Sequence, residues 1–158
     1  SKKFMWATHM YAETKKDISA VRERLLDDSW LANGEIVTRQ YVPLVTYMKG
    51  LNDLPITKEF RLFFAYGELI GSGFYWASHE EDMKDAGISI PDSSEVPKWL
   101  INTIRDRSIS NFYSADVAET QDGRWILVEL NEGQMSGLGL IDPISFYENL
   151  FKLVTRVR

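Results

Sequence analysis

The chain has 158 residues, 44% of them hydrophobic, with no cysteine, two histidines and a net charge of −5. That length suits one domain with its own core, and the missing cysteines exclude disulfides, thiolate metal sites and thiol nucleophiles. His9 and His79 stand far apart in no metal-ligand spacing, which argues against zinc and a histidine-based triad; the negative charge argues against nucleic-acid or anionic-membrane binding through a basic surface.

No apolar run is long enough to span a membrane, and the start carries no signal-peptide pattern. Residues 4–12 are aromatic and β-prone enough for a strand, and 17–27, with Ile18, Val21 and Leu25 at helical spacing, read as a helix. Asn33-Gly34 breaks the chain before a strand over 35–42, which Pro43 ends; residues 43–57 read as a polar loop. A hairpin follows, residues 59–66 returning over 69–76 through a type II′ turn at Gly67-Glu68. Alternation puts Glu59, Arg61, Phe63 and Ala65 on one face, leaving Arg61 as a lone cation on a largely apolar strand. Such an arginine needs an anion, either Glu59 beside it or the phosphate of a ligand.

Residues 79–94 are acidic and turn-rich and read as a mobile or variable loop. Ser94 caps a helix over 95–107 with Pro97 in its first turn and Trp99, Leu100 and Ile104 as its apolar stripe. The stretch 116–131 then holds Asp122-Gly123, the dipeptide of a two-residue type I′ hairpin. With that turn, paired positions sum to 245, so Val117 faces Val128 and Asp116 faces Glu129, while Asn131 shares the face of Glu129. Trp125 and Leu127 fall on the acidic face, and Ile126, Val128 and Leu130 on the other.

Directly opposed carboxylates repel. Three ways out remain: a wet hairpin face, one carboxyl with a raised pKa, or a hard divalent cation such as Mg²⁺ held by oxygen ligands. After a glycine-bearing loop to residue 141, Asp142 caps and Pro143 opens a final helix with Phe146, Leu150, Phe151 and Val154 on its apolar side. The order of elements gives an α+β fold, a mostly antiparallel sheet with flanking helices.

Asp116, Glu129 and Asn131 resemble, in type, order and spacing, the C-terminal metal-binding hairpin of ATP-grasp enzymes. The tail from Asn131 to Gly137 is similar to the loop that follows in the D-alanine:D-alanine ligase and glutathione synthetase branches, and the likeness is greatest to the smaller R2K clade. Glu59-Phe60-Arg61 matches a second motif of the superfamily, an acid and an arginine spaced by one residue.

The resemblance implies ATP and Mg²⁺ as cofactors, with Asp116, Glu129 and Asn131 on the metal. It implies an adenine-binding hinge at Arg39, Gln40, Tyr41 and Val42, although many relatives carry Glu where this chain has Arg39. Glu59 would lie near the ribose or metal, Arg61 at the terminal phosphates as the catalytic cation, and Gly133, Gln134, Ser136 and Gly137 in the substrate loop. Where some branches have an arginine two residues before the metal-binding Asp, this chain has Ser114.

The implied activity is a carboxylate–amine ligase working through an acyl phosphate on a small-molecule or peptide carboxylate and an amine acceptor. The alternative is an ATP-binding assembly factor without turnover, similar to the cell-division-cycle 123 group. The likeness covers the C-terminal two-thirds of an ATP-grasp fold, so residues 1–158 are expected to be a single ATP-grasp-like domain lacking an N-terminal region that carries the phosphate-binding lysines. A cytoplasmic location is expected.

Overall fold

A computed structural model of the chain describes residues 11–27, 36, 38–107 and 110–157. Helix α1 (Lys15–Asp27) is followed by a short hairpin, β1 (Thr46–Lys49) and β2 (Pro55–Thr57), then β3 (Glu59–Ala65) and β4 (Glu68–Phe74). Helices α2 (Glu80–Asp85) and α3 (Lys98–Asp106) lead to β5 (Phe112–Glu119) and β6 (Trp125–Glu132), and α4 (Pro143–Val157) comes last. The main sheet is antiparallel, in the order β4-β3-β5-β6, and with the helices it makes the α+β arrangement expected. No helix among the described residues is long and apolar enough to cross a membrane.

Strand β3 is buried along its whole length, which is why it reads as a nearly continuous apolar run. One of its faces, Phe60, Leu62 and Phe64, joins Tyr113, Ala115 and Val117 of β5 in a core closed by Met83 of α2 and by Leu100 and Ile104 of α3. The other face puts Phe63 and Ala65 under Ile141 and under Phe146 and Leu153 of α4. Each such side chain contributes on the order of 1.5–3 kcal/mol by leaving water. Glu59 and Arg61 lie on this second face, further along the same strand.

Several local expectations are corrected. Residues 43–57 are a hairpin rather than a loop: Asn52 and Asp53 both take the left-handed conformation (φ 56°), turning the chain so that Ile56 becomes fully buried. Residues 38–43 form no regular strand, while 35 and 37, together with the expected strand residues 4–10 and the Asn33-Gly34 break, lie outside the described residues. The β3–β4 turn is centred on Tyr66-Gly67, with φ of 48° and 80°, as a type I′ turn requires.

Residues 79–94 are largely ordered by α2, because Met83 is completely buried. Asp92, not Ser94, caps the turn before α3: its carboxylate accepts from the Ser94 N–H at 2.7 Å, and Pro97 becomes the N-cap of a helix that begins at Lys98. The sequence X-Pro forces residue 96 into extended geometry, which postpones the helix. Trp99 is 58% exposed and stands outside the stripe. On α4 the buried side is Phe146 and Leu153 with Leu150 half-buried, and Phe151 points outward at 70% exposure. In α1 only Val21 of the three apolar positions is buried.

Candidate functional site

Strands β3, β5 and β6 gather the charged residues. Register sets Arg61 opposite Asp116 and Glu59 opposite Ala118 between β3 and β5; it sets Asp116 opposite Glu129 and Ser114 opposite Asn131 between β5 and β6. The expected Asp116–Glu129 opposition is therefore present, but it arises differently. The loop holds three residues, not two: Thr120 N–H donates to Arg124 O at 2.8 Å, Gly123 N–H donates to Thr120 O at 2.9 Å, and in the loop only Gly123 has positive φ, 80°. This is the type I turn with a left-handed glycine that common three-residue hairpins use.

It shifts the register by one, so Val117 faces Leu127 rather than Val128. A bulge at Val128 then restores the pairing at Asp116 and Glu129. The bulge also reverses the faces beyond it. Trp125 packs on the apolar side, its ring 5.9 Å from that of Phe60, opposite to the expectation.

Arg61 and Asp116 form a bidentate ion pair: Nε donates to Oδ1 and Nη2 to Oδ2, both at 2.7 Å. Asp116 is fully buried and Arg61 nearly so. Of the two anions open to Arg61, the carboxylate partner is thus neither Glu59 nor a neighbour on its own strand but a residue 55 positions away. The remaining nitrogen, Nη1, donates to Gly137 O at 2.8 Å, and the Tyr75 ring lies 4.7 Å from the guanidinium carbon.

Glu59 is buried and accepts from the Thr57 hydroxyl at 3.1 Å. Burial pushes its carboxyl up to about 7, with the Asp116 charge adding, the Thr57 hydrogen bond opposing, and Glu129 adding further. Burial also raises the Asp116 carboxyl, against the pull of Arg61. Arg61 is held above its ordinary range: burial opposes its charge, but the bonds and charge of Asp116 outweigh that. On β6, Asn131 Nδ2 donates to Glu129 Oε1 at 3.0 Å.

The 133–137 loop leaves β6 beside this cluster. Ser136 Oγ lies 2.7 Å from the buried Ser114 hydroxyl, Gly133 is buried against Phe112, and the exposed Gln134 donates to Glu132. The segment 38–42 is placed differently. Arg39 Nη1 donates to the carbonyl of the bulged Val128 at 2.6 Å. Gln40 is exposed, Tyr41 is 59% exposed with its ring 5.1 Å from that of Tyr11, and Val42 is half-buried. The structure therefore unites Glu59, Arg61, Asp116, Glu129, Asn131, Ser136 and Gly137, and links Arg39 to the strand that carries Glu129.

Sequence reasoning missed Tyr75 and Thr57, which touch Arg61 and Glu59, and the buried hydroxyl of Ser114. Tyr75 reaches Arg61 from the chain that follows β4 and Ser114 meets Ser136 of the loop after β6, contacts that no local pattern marks, whereas Thr57 lies only two residues from Glu59. As a donor set, two carboxylates and an amide are hard oxygen ligands suited to Mg²⁺ or a similar ion. Among the described residues, no group of three or more His, Cys, Asp or Glu side chains is arranged to hold a metal, so the set depends on the Asn131 amide. The Arg61 guanidinium, seated on both oxygens of Asp116, shows that this carboxylate already takes a cationic partner.

An antiparallel sheet backed by helices, presenting paired acids and an arginine on one face, fits the ATP-grasp class of domain. The chain belongs to this class: the sequence model of the ATP-grasp domain, R2K clade family 3, matches residues 3–150. A search of curated proteins finds no match. Membership in this family carries ATP-dependent, ligase-type chemistry in general.

Proposed function

We propose that this domain catalyses ATP- and Mg²⁺-dependent joining of a carboxylate to an amine through an acyl phosphate, in the cytoplasm. The observation that supports it most directly is the register that opposes Asp116 and Glu129, with Asn131 beside them and Arg61 on the same face, in a chain of the ATP-grasp family. Asp116, Glu129 and the Asn131 amide oxygen would hold Mg²⁺, which when bound neutralises phosphate charge and orients the phosphoryl group for in-line transfer.

Arg61 adds a fixed positive charge where negative charge gathers during that transfer. To reach phosphate it must exchange part of its present pairing with Asp116. Gly137, whose carbonyl accepts from Arg61, ties the 133–137 loop to the same cation, so this loop is well placed to carry the substrate carboxylate and its acceptor. No covalent protein nucleophile is needed, in keeping with a chain that has no cysteine.

Calorimetric titration of Mg²⁺ with ATP and with ADP into the wild type and into Asp116→Asn tests the reading. Binding that needs Mg²⁺ and is lost in the variant supports it; equal binding by both proteins sinks the metal assignment. Release of ADP accelerated by a matching carboxylate and amine separates a ligase from an assembly factor that only holds ATP.

A further inference from the structure

The Glu59-x-Arg61 pair is supported by a dipeptide that local sequence does not single out, Tyr75-Trp76. Strand β4 ends at Phe74, and the next N–H, that of Tyr75, donates to Glu59 O at 2.9 Å, clipping the outgoing chain to the first residue of β3. The clip lays the Tyr75 ring against Arg61, 4.7 Å from ring centroid to guanidinium carbon. Trp76 packs edge-to-face on Tyr75, with centroids 5.0 Å apart at 80°. Its indole N–H donates to the Thr57 hydroxyl at 3.2 Å, and that hydroxyl donates to Glu59. Each member of the pair therefore rests on one aromatic residue.

The three supports of Arg61 differ in kind. Asp116 neutralises the guanidinium, and Gly137 O belongs to an exposed residue of the loop. An arginine held only by these would follow whatever displaced them. The Tyr75 ring attracts the guanidinium through its π-face without cancelling its charge, so the cation stays available to a second anion in the guanidinium plane. The ring is half-buried, which strengthens this attraction over that of an exposed stack.

We propose that Tyr75 is a positioning residue that keeps Arg61 aimed at the terminal phosphates of a bound nucleotide independently of Asp116, so that selection for ATP over AMP runs through the Tyr75–Arg61 stack. The inference rests on the nucleotide reading above and adds a specificity determinant to it.

The experiment compares ATP and AMP, each with Mg²⁺, titrated calorimetrically into the wild type, Tyr75→Phe, Tyr75→Leu and Tyr75→Met. The ratio of ATP to AMP affinity is expected to fall roughly three- to thirty-fold in the Leu and Met variants and to stay near the wild-type value in Tyr75→Phe, which keeps the stack. AMP affinity itself should not move, a pattern that general loosening of the fold would not produce. Thermal melts accompany each variant, and either ring-free variant that folds decides the matter. An unchanged ratio in a folded ring-free variant overturns the role of Tyr75 while leaving the nucleotide reading standing. Failure of the wild type to bind ATP overturns that reading and this inference with it.

Discussion

Asp116 meets Arg61 across two adjacent strands with both carboxylate oxygens on the guanidinium fork, each at 2.7 Å, and faces Glu129 from the other side. One carboxylate is thus shared between a resident cation and a second acid.

Removing the resident cation should expose that arrangement. Arg61→Met leaves a fully buried aspartate against Glu129, and breaking a buried pair from one side costs about 3–5 kcal/mol. Urea unfolding should show this loss, with part of it recovered by millimolar Mg²⁺ in Arg61→Met and none in Arg61→Met combined with Asp116→Asn. Indifference of the single variant to Mg²⁺ would count against the acids as metal ligands.

Glu59 makes the stability pH-dependent. Its folded-state value of about 7 lies above the ordinary 4.5, so the folded protein prefers the protonated acid. Its contribution is complete below about pH 4.5 and is lost as pH rises through 7, by on the order of 3 kcal/mol. In Glu59→Gln the urea midpoint should flatten across this window; a curve parallel to the wild type would show that Glu59 titrates normally.

Gly73 sits opposite Arg61 on β4, and a Cβ there would lie 2.8 Å from the backbone at Leu140 and Ile141. Backbone cannot step aside as a flexible side chain does, so Gly73→Ala should cost about 1–3 kcal/mol. The chain after the 133–137 loop must shift to admit the methyl. Amide exchange should therefore quicken first at Leu140, whose N–H donates to Phe74 O; protection as in the wild type at that amide contradicts the packing argument.

Arg39 donates to the carbonyl of Val128, the residue that the bulge leaves without a partner in the β5–β6 register. Arg39→Ala should cost about 1 kcal/mol, the worth of an ordinary hydrogen bond, and loosen Glu129. Faster exchange in residues 127–129 with unchanged exchange in β3 is the expected pattern, and uniform exchange throughout would show that the contact carries nothing.

How far the sequence reaches is clearest at Asp116 and Glu129. Their pairing follows from a residue count, yet that count works only because a three-residue loop and a one-residue bulge displace the register in opposite senses. Asp122-Gly123 announces a turn, but whether one or both of its residues take positive φ depends on how the strands twist beneath it. The same displacement turns Trp125 and Leu127 to the face opposite the one that alternation from Glu129 predicts.

Arg61 was recognisable as a cation in need of an anion, because charge on an apolar strand is costly. Its partner was not, since β3 lies beside β5 only through a sheet order that no local pattern encodes. The outward turn of Phe151 and Trp99 has a similar origin: helical spacing defines a stripe, but the sheet beneath decides which part of it is covered. Residues that assist others, such as Tyr75 and Thr57, carried no signal of their own.

The bulge divides the β5–β6 hairpin into an inner stretch, 113–116 against 129–132, and an outer one, 117–119 against 125–127, each in its own register. Of the acids of the candidate site, Asp116 and Glu129 both belong to the inner stretch. The outer stretch and its tip at Gln121, Asp122 and Gly123 are therefore a natural place to graft an epitope or a fluorescent reporter, which would sit within a few residues of the site while leaving its alignment to the bulge.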